Sequence, residues 1–268
     1  NVVVRDDGRG DAMWQPETSY GSIALARIPL SSFSNGVTAI EQQDYIALPS
    51  KSVGYSLVNR FVGDYLLYGS RDSYYYPGVS SERTPSQLYV KNYKDKSETK
   101  SLSLSHNIER IDAMGQAAVV MGQSGYDLGF SSINLAANPT VVDTEAIKGA
   151  FQGETRSHGF FYHPTSASEG IIGLPTRSIK ATGEYLYNDS SSVVFLSVDS
   201  QRQFTSLGEL TSTGREISEK TCDISCADWY GNSRPIFYSG GIYALMGSEI
   251  VLGKIQANQI QDLGRASF

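Results

Sequence analysis

The sequence predicts an all-β protein, a β-propeller of about five recognisable four-stranded blades. Three observations lead there: short apolar strand patterns recur in a fixed order, no long amphipathic helical pattern separates them, and Ser, Gly and Tyr are plentiful while charge is sparse. The first recurring pattern is an apolar run that closes on a small residue. It reads DYLLYGS at 64–70, AAVVMGQS at 117–124, GIIGLPT at 170–176 and IYALMGS at 242–248, with NVVVRDD at 1–7 as a fifth copy. A second strand follows each: SIALARIPL at 22–30, QLYVKNY at 87–93, LGFSSINL at 128–135, VVFLSVD at 193–199 and EIVLGKI at 249–255. A third, more polar strand comes next, at 38–48, 99–105, 140–147, 204–210 and 258–264. Four of the five units also carry a strand before the first pattern: SLVNRFV at 56–62, IERIDAM at 108–114, SHGFFYH at 157–163 and RPIFYSG at 234–240.

The units divide the chain, one propeller domain over 1–268, at approximately 1–53, 54–106, 107–151, 152–213 and 214–268. Their spacing exceeds the roughly 40–45 residues of a compact blade. The surplus lies in loops such as 71–85 and 177–190, rich in Tyr, Pro, Gly, Ser and Asp. Long loops on a rigid scaffold are where binding residues collect.

The first unit lacks its innermost strand. A propeller hides its strand edges by completing the ring. An upstream segment of the same precursor, another polypeptide, or an irregular segment closing a five-bladed ring would each satisfy that need. The chain opens on Asn rather than Met and shows no charged-then-apolar leader, so it reads as a processed or excised piece.

Composition narrows the partners. The 268 residues carry 22 Lys and Arg against 28 Asp and Glu, a net charge of -6, which disfavours nucleic acid because phosphate binding needs a basic surface. No apolar run approaches the roughly 20 residues of a membrane-spanning helix, so no transmembrane segment is expected. The strands RFVGDYLLYGS, LYVKNYKD, ERIDAMGQAAVVMG, FSSINLAANPTVVD and GFFYHPTSASEGIIGLP, in that order, resemble the secreted bacterial and archaeal proteins with a C-terminal β-propeller distantly related to WD40 repeats. The resemblance spans nearly the whole chain and implies the C-terminal part of a larger propeller. It also implies a secreted, cell-surface or periplasmic location, and a helix-like segment at His158-Gly159-Phe160-Phe161-Tyr162-His163-Pro164. It brings no catalytic residues with it.

Candidate chemistry is thin. His158 and His163, five apart, fall on opposite faces of an extended strand and make a poor joint metal site unless the chain bends at Gly159. His106, after LSLS, reads as a surface turn residue. Clustered carboxylates among glycines supply oxygen ligands, so Asp6, Asp7 and Asp11 are the candidate Ca²⁺ ligands, although the pattern departs from an EF-hand loop and Arg9 opposes it. Cys222 and Cys226 close a disulfide only across a turn or helical loop, and otherwise remain thiols. Tyr74, Tyr75 and Tyr76 form one candidate binding platform, and Trp229 with Tyr230 a second, because large amphipathic rings suit protein or sugar surfaces. The expected function is a non-catalytic extracellular binding or assembly module that uses rim loops for protein or glycan recognition. The alternatives are a glycan-acting propeller enzyme with channel carboxylates, and a structural subunit that completes a ring or filament with another chain.

Overall fold

The structure is a computed structural model that describes residues 1–9, 18–33, 40–49, 56–71, 85–178, 192–212, 233–247 and 249–268. Strands fall into five successive antiparallel sheets. The first holds β1 (Val2–Arg9), β2 (Thr18–Ala26) and β3 (Tyr45–Leu48); the second β4 (Ser56–Val62), β5 (Tyr65–Arg71), β6 (Ser86–Asn92) and β7 (Lys100–Leu104). The third contains β8 (Arg110–Met114), β9 (Ala117–Ser124), β10 (Asp127–Asn134) and β11 (Thr140–Ile147). In the fourth, β12 (Ala150–Gln152) and β13 (Phe161–Pro164) share one edge of β14 (Gly170–Ser178), followed by β15 (Ser192–Val198) and β16 (Phe204–Thr211). The fifth comprises β17 (Ser233–Tyr238), β18 (Gly241–Met246), β19 (Glu249–Gln256) and β20 (Gln259–Ser267).

Each sheet is a meander of sequential strands, and the first strand of one sheet lies beside that of the next, β4 by β8, β8 by β13 and β13 by β17. This is blade order, and the all-β propeller reading holds, including a first sheet of three strands. Turn chemistry fixes the tight hairpins. Ser239 and Gly240 both adopt positive φ (49° and 76°), which matches the twist of β17 and β18.

Four apolar clusters fill four successive junctions. Leu25 and Leu48 meet Leu66 and Tyr68 between the first and second sheets; Leu67 and Leu88 meet Ala118 and Val120 between the second and third. Met121 and Phe130 meet Leu174 and Leu196 between the third and fourth, and Val193 and Phe195 meet Ala244 and Val251 between the fourth and fifth. Covering on both faces explains why the central strands read as unbroken apolar runs: β9, AAVVMGQS, is buried at every position but its last. Polar cross-links join the layers, with the Asp143 carboxylate accepting from the Phe204 N–H at 2.7 Å and the Tyr65 hydroxyl donating to the Ala136 carbonyl at 3.0 Å. Among the described residues no helix is long and apolar enough to cross a membrane.

The link from β7 to β8 shows how glycine makes room. Gly122 and Gly129 face each other across β9 and β10. The chain at 106–109 crosses that bare patch, the Asn107 N–H donating to the Gln123 carbonyl and the Glu109 N–H to the Met121 carbonyl, both at 2.9 Å. His106 therefore is not a surface residue, as its turn-like sequence suggested. It is 3% exposed, Nδ1 lies 2.8 Å from the Asn107 carbonyl and Nε2 lies 2.8 Å from the Ser131 hydroxyl. Burial pushes the imidazole pKa below its ordinary value, against the weaker upward pull of the Asn107 carbonyl. A depressed folded pKa means that the unfolded chain takes up the proton first. Stability is thus complete above about pH 6.5 and is lost as pH falls below it. Urea midpoints measured from pH 8 to pH 5 are expected to drop, and the drop to shrink in His106→Gln.

Candidate functional site

The inner strands of the second, third and fourth sheets carry a chain of alternating charge. Arg110, at the start of β8, is buried and held in place by four acceptors. Its Nε donates to Gln152 Oε1 and its Nη1 to Asp112 Oδ2, both at 3.1 Å; its Nη2 donates to the carbonyls of Glu154 at 3.1 Å and Arg156 at 2.8 Å. Asp112 is gripped from the other side by Arg60 of β4, Nη2 to Oδ1 at 3.1 Å. Gln152 extends the row by donating to Glu109 Oε2 at 3.1 Å.

The reason for this arrangement is an interruption in the fourth sheet. Its inner strand breaks into β12 and β13; Gly153 still donates its N–H to the Pro175 carbonyl of β14 at 2.9 Å, and residues 154–160 leave the sheet. Ser157–Gly159 form a 3-10 turn, the bend at Gly159 that separates His158 from His163. A detached segment exposes carbonyls that the sheet no longer satisfies, and the Arg110 fork takes up two of them. Glu154 closes the segment on itself. It accepts from the Arg156 N–H and Nε through Oε1 at 2.8 and 2.9 Å and from Arg156 Nη2 through Oε2 at 2.7 Å, with His158 Nε2 at 3.4 Å. Burial by itself would raise the Glu154 carboxyl, but the Arg156 hydrogen bonds and charge, helped by His158, hold it below the usual carboxylate range.

Beyond the turn, the two inner strands of the fourth and fifth sheets share an aromatic stack. His163 lies almost parallel to Phe237 with ring centres 4.8 Å apart, Phe161 stacks on the same ring at 5.6 Å, and Phe195 meets it edge-on at 6.2 Å. Phe161 remains 46% exposed. Sequence reasoning noted the run His158–Pro164 but placed no platform there, since only the fold brings Phe237 across to it. His158 and His163 have separate surroundings, the one beside Glu154 and the other on Phe237.

The platforms expected from sequence, Tyr74, Tyr75, Tyr76, Trp229 and Tyr230, lie outside the described residues, as do Cys222, Cys226 and Asp11. Asp6 and Asp7 lie in β1 at a register shift, with Asp6 exposed and Asp7 opposite Tyr20. Among the described residues no group of three His, Cys, Asp or Glu side chains is placed to hold a metal ion. The carboxylates of Asp112 and Glu154 are both paired with guanidinium groups, and Glu154 is held below the usual carboxylate range rather than raised.

The chain is similar to Kluyveromyces lactis Hsv2 (12% identity, 98% of this chain and 74% of that one, TM-score 0.39) and to the same protein with a complete loop 6CD (12%, 98% and 74%, TM-score 0.40). A proposed 6-phosphogluconolactonase from Bacteroides uniformis shares 10% identity over 84% of this chain and 75% of its own, TM-score 0.28. No family model and no curated protein matches. Likenesses this distant bring no function with them, and the fold rests on the chain's own sheet order.

One further surface stands out on the fifth sheet. On the fifth sheet, Ile242, Ala244, Met246 and Val251 are buried against the fourth. Their neighbours on the opposite face are also apolar: Ile236, Tyr243 and Leu252 form one cross-strand row, and Leu245 with Ile250 lies in the next beside Arg234. These five apolar side chains are partly exposed, and Tyr238 (73%) and Leu263 (53%) extend the apolar surface of this sheet.

Proposed function

We propose that the chain is a non-catalytic binding and assembly module of propeller blades that works outside the cytoplasm and makes contact through its fifth sheet. The observation that supports this most is the apolar outer face of the fifth sheet. Stacked repeat proteins end on polar faces, because an uncovered apolar sheet draws proteins together. A face with Tyr243, Leu245, Ile250 and Leu252 on its two central strands has the composition of the covered junctions, not of a cap. The extracellular placement rests on the family resemblance. Recognition of protein or glycan by the rim loops carrying Tyr74–Tyr76 and Trp229-Tyr230, and Ca²⁺ at Asp6, Asp7 and Asp11, belong to the same reading. The guanidinium pairing of Asp112 and Glu154 favours binding over glycan hydrolysis at these two carboxylates.

The test is a paired substitution, Leu245→Lys with Ile250→Glu, which places opposite charges on directly paired positions and so keeps the sheet intact. The unaltered chain is expected to enhance the fluorescence of an apolar dye several-fold over the variant, with the circular dichroism unchanged. Equal dye binding by the two proteins would show that the face is not an accessible contact surface, and the reading would fall.

A further inference from the structure

The rim where the third and fourth sheets meet holds a small cleft. Three turns wall it: β8–β9 at 115–116, β13–β14 at 165–169 and β15–β16 at 199–203. Met114 and Val198, both buried, make its floor, and Gln116, Tyr162, Ser168 and Arg202 line it. Its volume is about 170 Å³. That is several waters' worth at about 30 Å³ each, and well under the roughly 300 Å³ at which pockets for drug-sized ligands begin. A single ring with its substituents fits, whereas a bare inorganic ion is too small to span it.

The walls are held by hydrogen bonds. In the β15–β16 turn the Asp199 carboxylate accepts from the N–H groups of Gln201 at 2.9 Å and Gln203 at 2.8 Å, and the Arg202 N–H donates to the Asp199 carbonyl at 2.9 Å. In the β13–β14 turn the Ser166 hydroxyl accepts from the Glu169 N–H at 3.1 Å, and the Glu169 carbonyl from the Thr165 N–H at 2.9 Å. Arg202 has a φ of 67°, a left-handed conformation that suits glycine and strains any side chain. The turn would form more easily with Gly, yet Arg stands there and puts a guanidinium in the cleft wall. Among the described residues that guanidinium has no hydrogen-bond or ion-pair partner, and no carboxylate lines the cleft. The Tyr162 ring lies against Gly170, where an added Cβ would fall 2.4 Å from Cε2 and 2.6 Å from the hydroxyl oxygen. Burial pushes the Tyr162 pKa up, the Arg202 charge pulls against it and the Glu169 charge adds to it, so the hydroxyl remains a neutral donor.

Each part selects a feature of the ligand. A guanidinium fork without a partner calls for a carboxylate. Gln116 and Ser168 both donate and accept, which suits hydroxyl groups. The apolar floor and the Tyr162 ring suit the C–H face of a sugar ring. An acidic amino-acid side chain would satisfy Arg202 and leave Gln116 and Ser168 unused. We propose that this cleft binds a uronic acid residue of an acidic polysaccharide, with the carboxylate on Arg202 and Tyr162 and the hydroxyls on Gln116 and Ser168. The cleft uses none of the fifth-sheet face, so it stands or falls separately from the contact proposed above.

Three probes test it: trigalacturonate, its methyl ester, which keeps the hydroxyls without the charge, and an N-acetylated triglutamate amide, which keeps the charge without the sugar. Titrations followed on the backbone amide NMR signals are expected to show trigalacturonate shifting the three turns at 115–116, 165–169 and 199–203, and the other two probes leaving them in place. Arg202→Gly is expected to weaken trigalacturonate by about tenfold or more, the loss of a charged hydrogen-bonded pair. Its urea midpoint is expected to hold or rise, because Gly adopts that φ without strain. Leu245→Lys with Ile250→Glu is expected to leave the titration unchanged. The proposal fails if trigalacturonate moves no signal in the three turns, or if the ester binds as tightly. It fails also if Arg202→Gly lowers the urea midpoint, which would make Arg202 a structural residue. Equal binding of the triglutamate would overturn the sugar assignment in favour of an acidic peptide.

Discussion

Arg110→Leu is expected to lower stability by about 3 kcal/mol, the cost of leaving buried acceptors without their charged donor. The change leaves the carbonyls of Glu154 and Arg156 and the Gln152 amide oxygen without the donor that holds them, while Leu fills only part of the space. Asp112 retains Arg60, so the loss falls mainly on residues 154–160. Thermal melting is expected to show a downward shift of roughly 10 °C, at about 2–4 °C per kcal/mol for a chain of this size. Limited proteolysis is expected to cut first within 154–160. Arg110→Lys does not restore stability, because a single ammonium cannot span four acceptors laid out for a planar fork. The comparison is Arg60→Ala: Arg60 is half-exposed, and its loss is expected to cost about 1 kcal/mol or less. Equal shifts for Arg60→Ala and Arg110→Leu would remove Arg110 from its role as the clamp of the interrupted strand.

Gly122→Ala is the second large effect. A Cβ at this position would lie 2.0 Å from the Asn107 carbonyl oxygen and 2.6 Å from its carbon, both backbone atoms of a segment pinned by hydrogen bonds on either side. The crossing chain has to lift off the sheet, at a cost of about 3 kcal/mol, the upper end for overpacking. Gly129→Ala meets the His106 ring at 2.7 Å and displaces an imidazole that is hydrogen-bonded at both nitrogens, so its cost is similar. The two together are expected to cost less than their sum, because once the 106–109 segment has lifted the second methyl finds space. Gly264→Ala, with open space around the added methyl, is expected to leave the urea midpoint unchanged. A midpoint for Gly122→Ala within error of that control would mean that the segment does not cross β9 as described.

Much of the blade pattern was legible because a strand's side chains alternate with period two and blades repeat. RFVGDYLLYGS shows two strands and the turn between them without any tertiary information, and β4 and β5 lie there. The continuous run AAVVMG already signals a strand covered on both faces. Other features had no local signature. β12 is three residues between Gly149 and Gly153, too short for alternation to register. His106 sits in a polar, turn-like stretch, and its burial follows from two glycines 16 and 23 residues later that happen to pair. The candidate site was hidden for the same reason. Arg110, Gln152 and the carbonyl of Arg156 are 42 and 46 residues apart, on sheets whose adjacency no spacing rule encodes.

The sequence by itself determined the fold class, the blade order and the apolar double-sidedness of the central strands, because these depend on side-chain periodicity within a few residues. Only the tertiary structure decided which charges pair across the inner strands, that a broken strand is held by Arg110, and which face of the apolar run IYALM packs on the fourth sheet. Those outcomes depend on which sheet lies beside which, and a sheet face carries no mark in the sequence of what, if anything, will cover it.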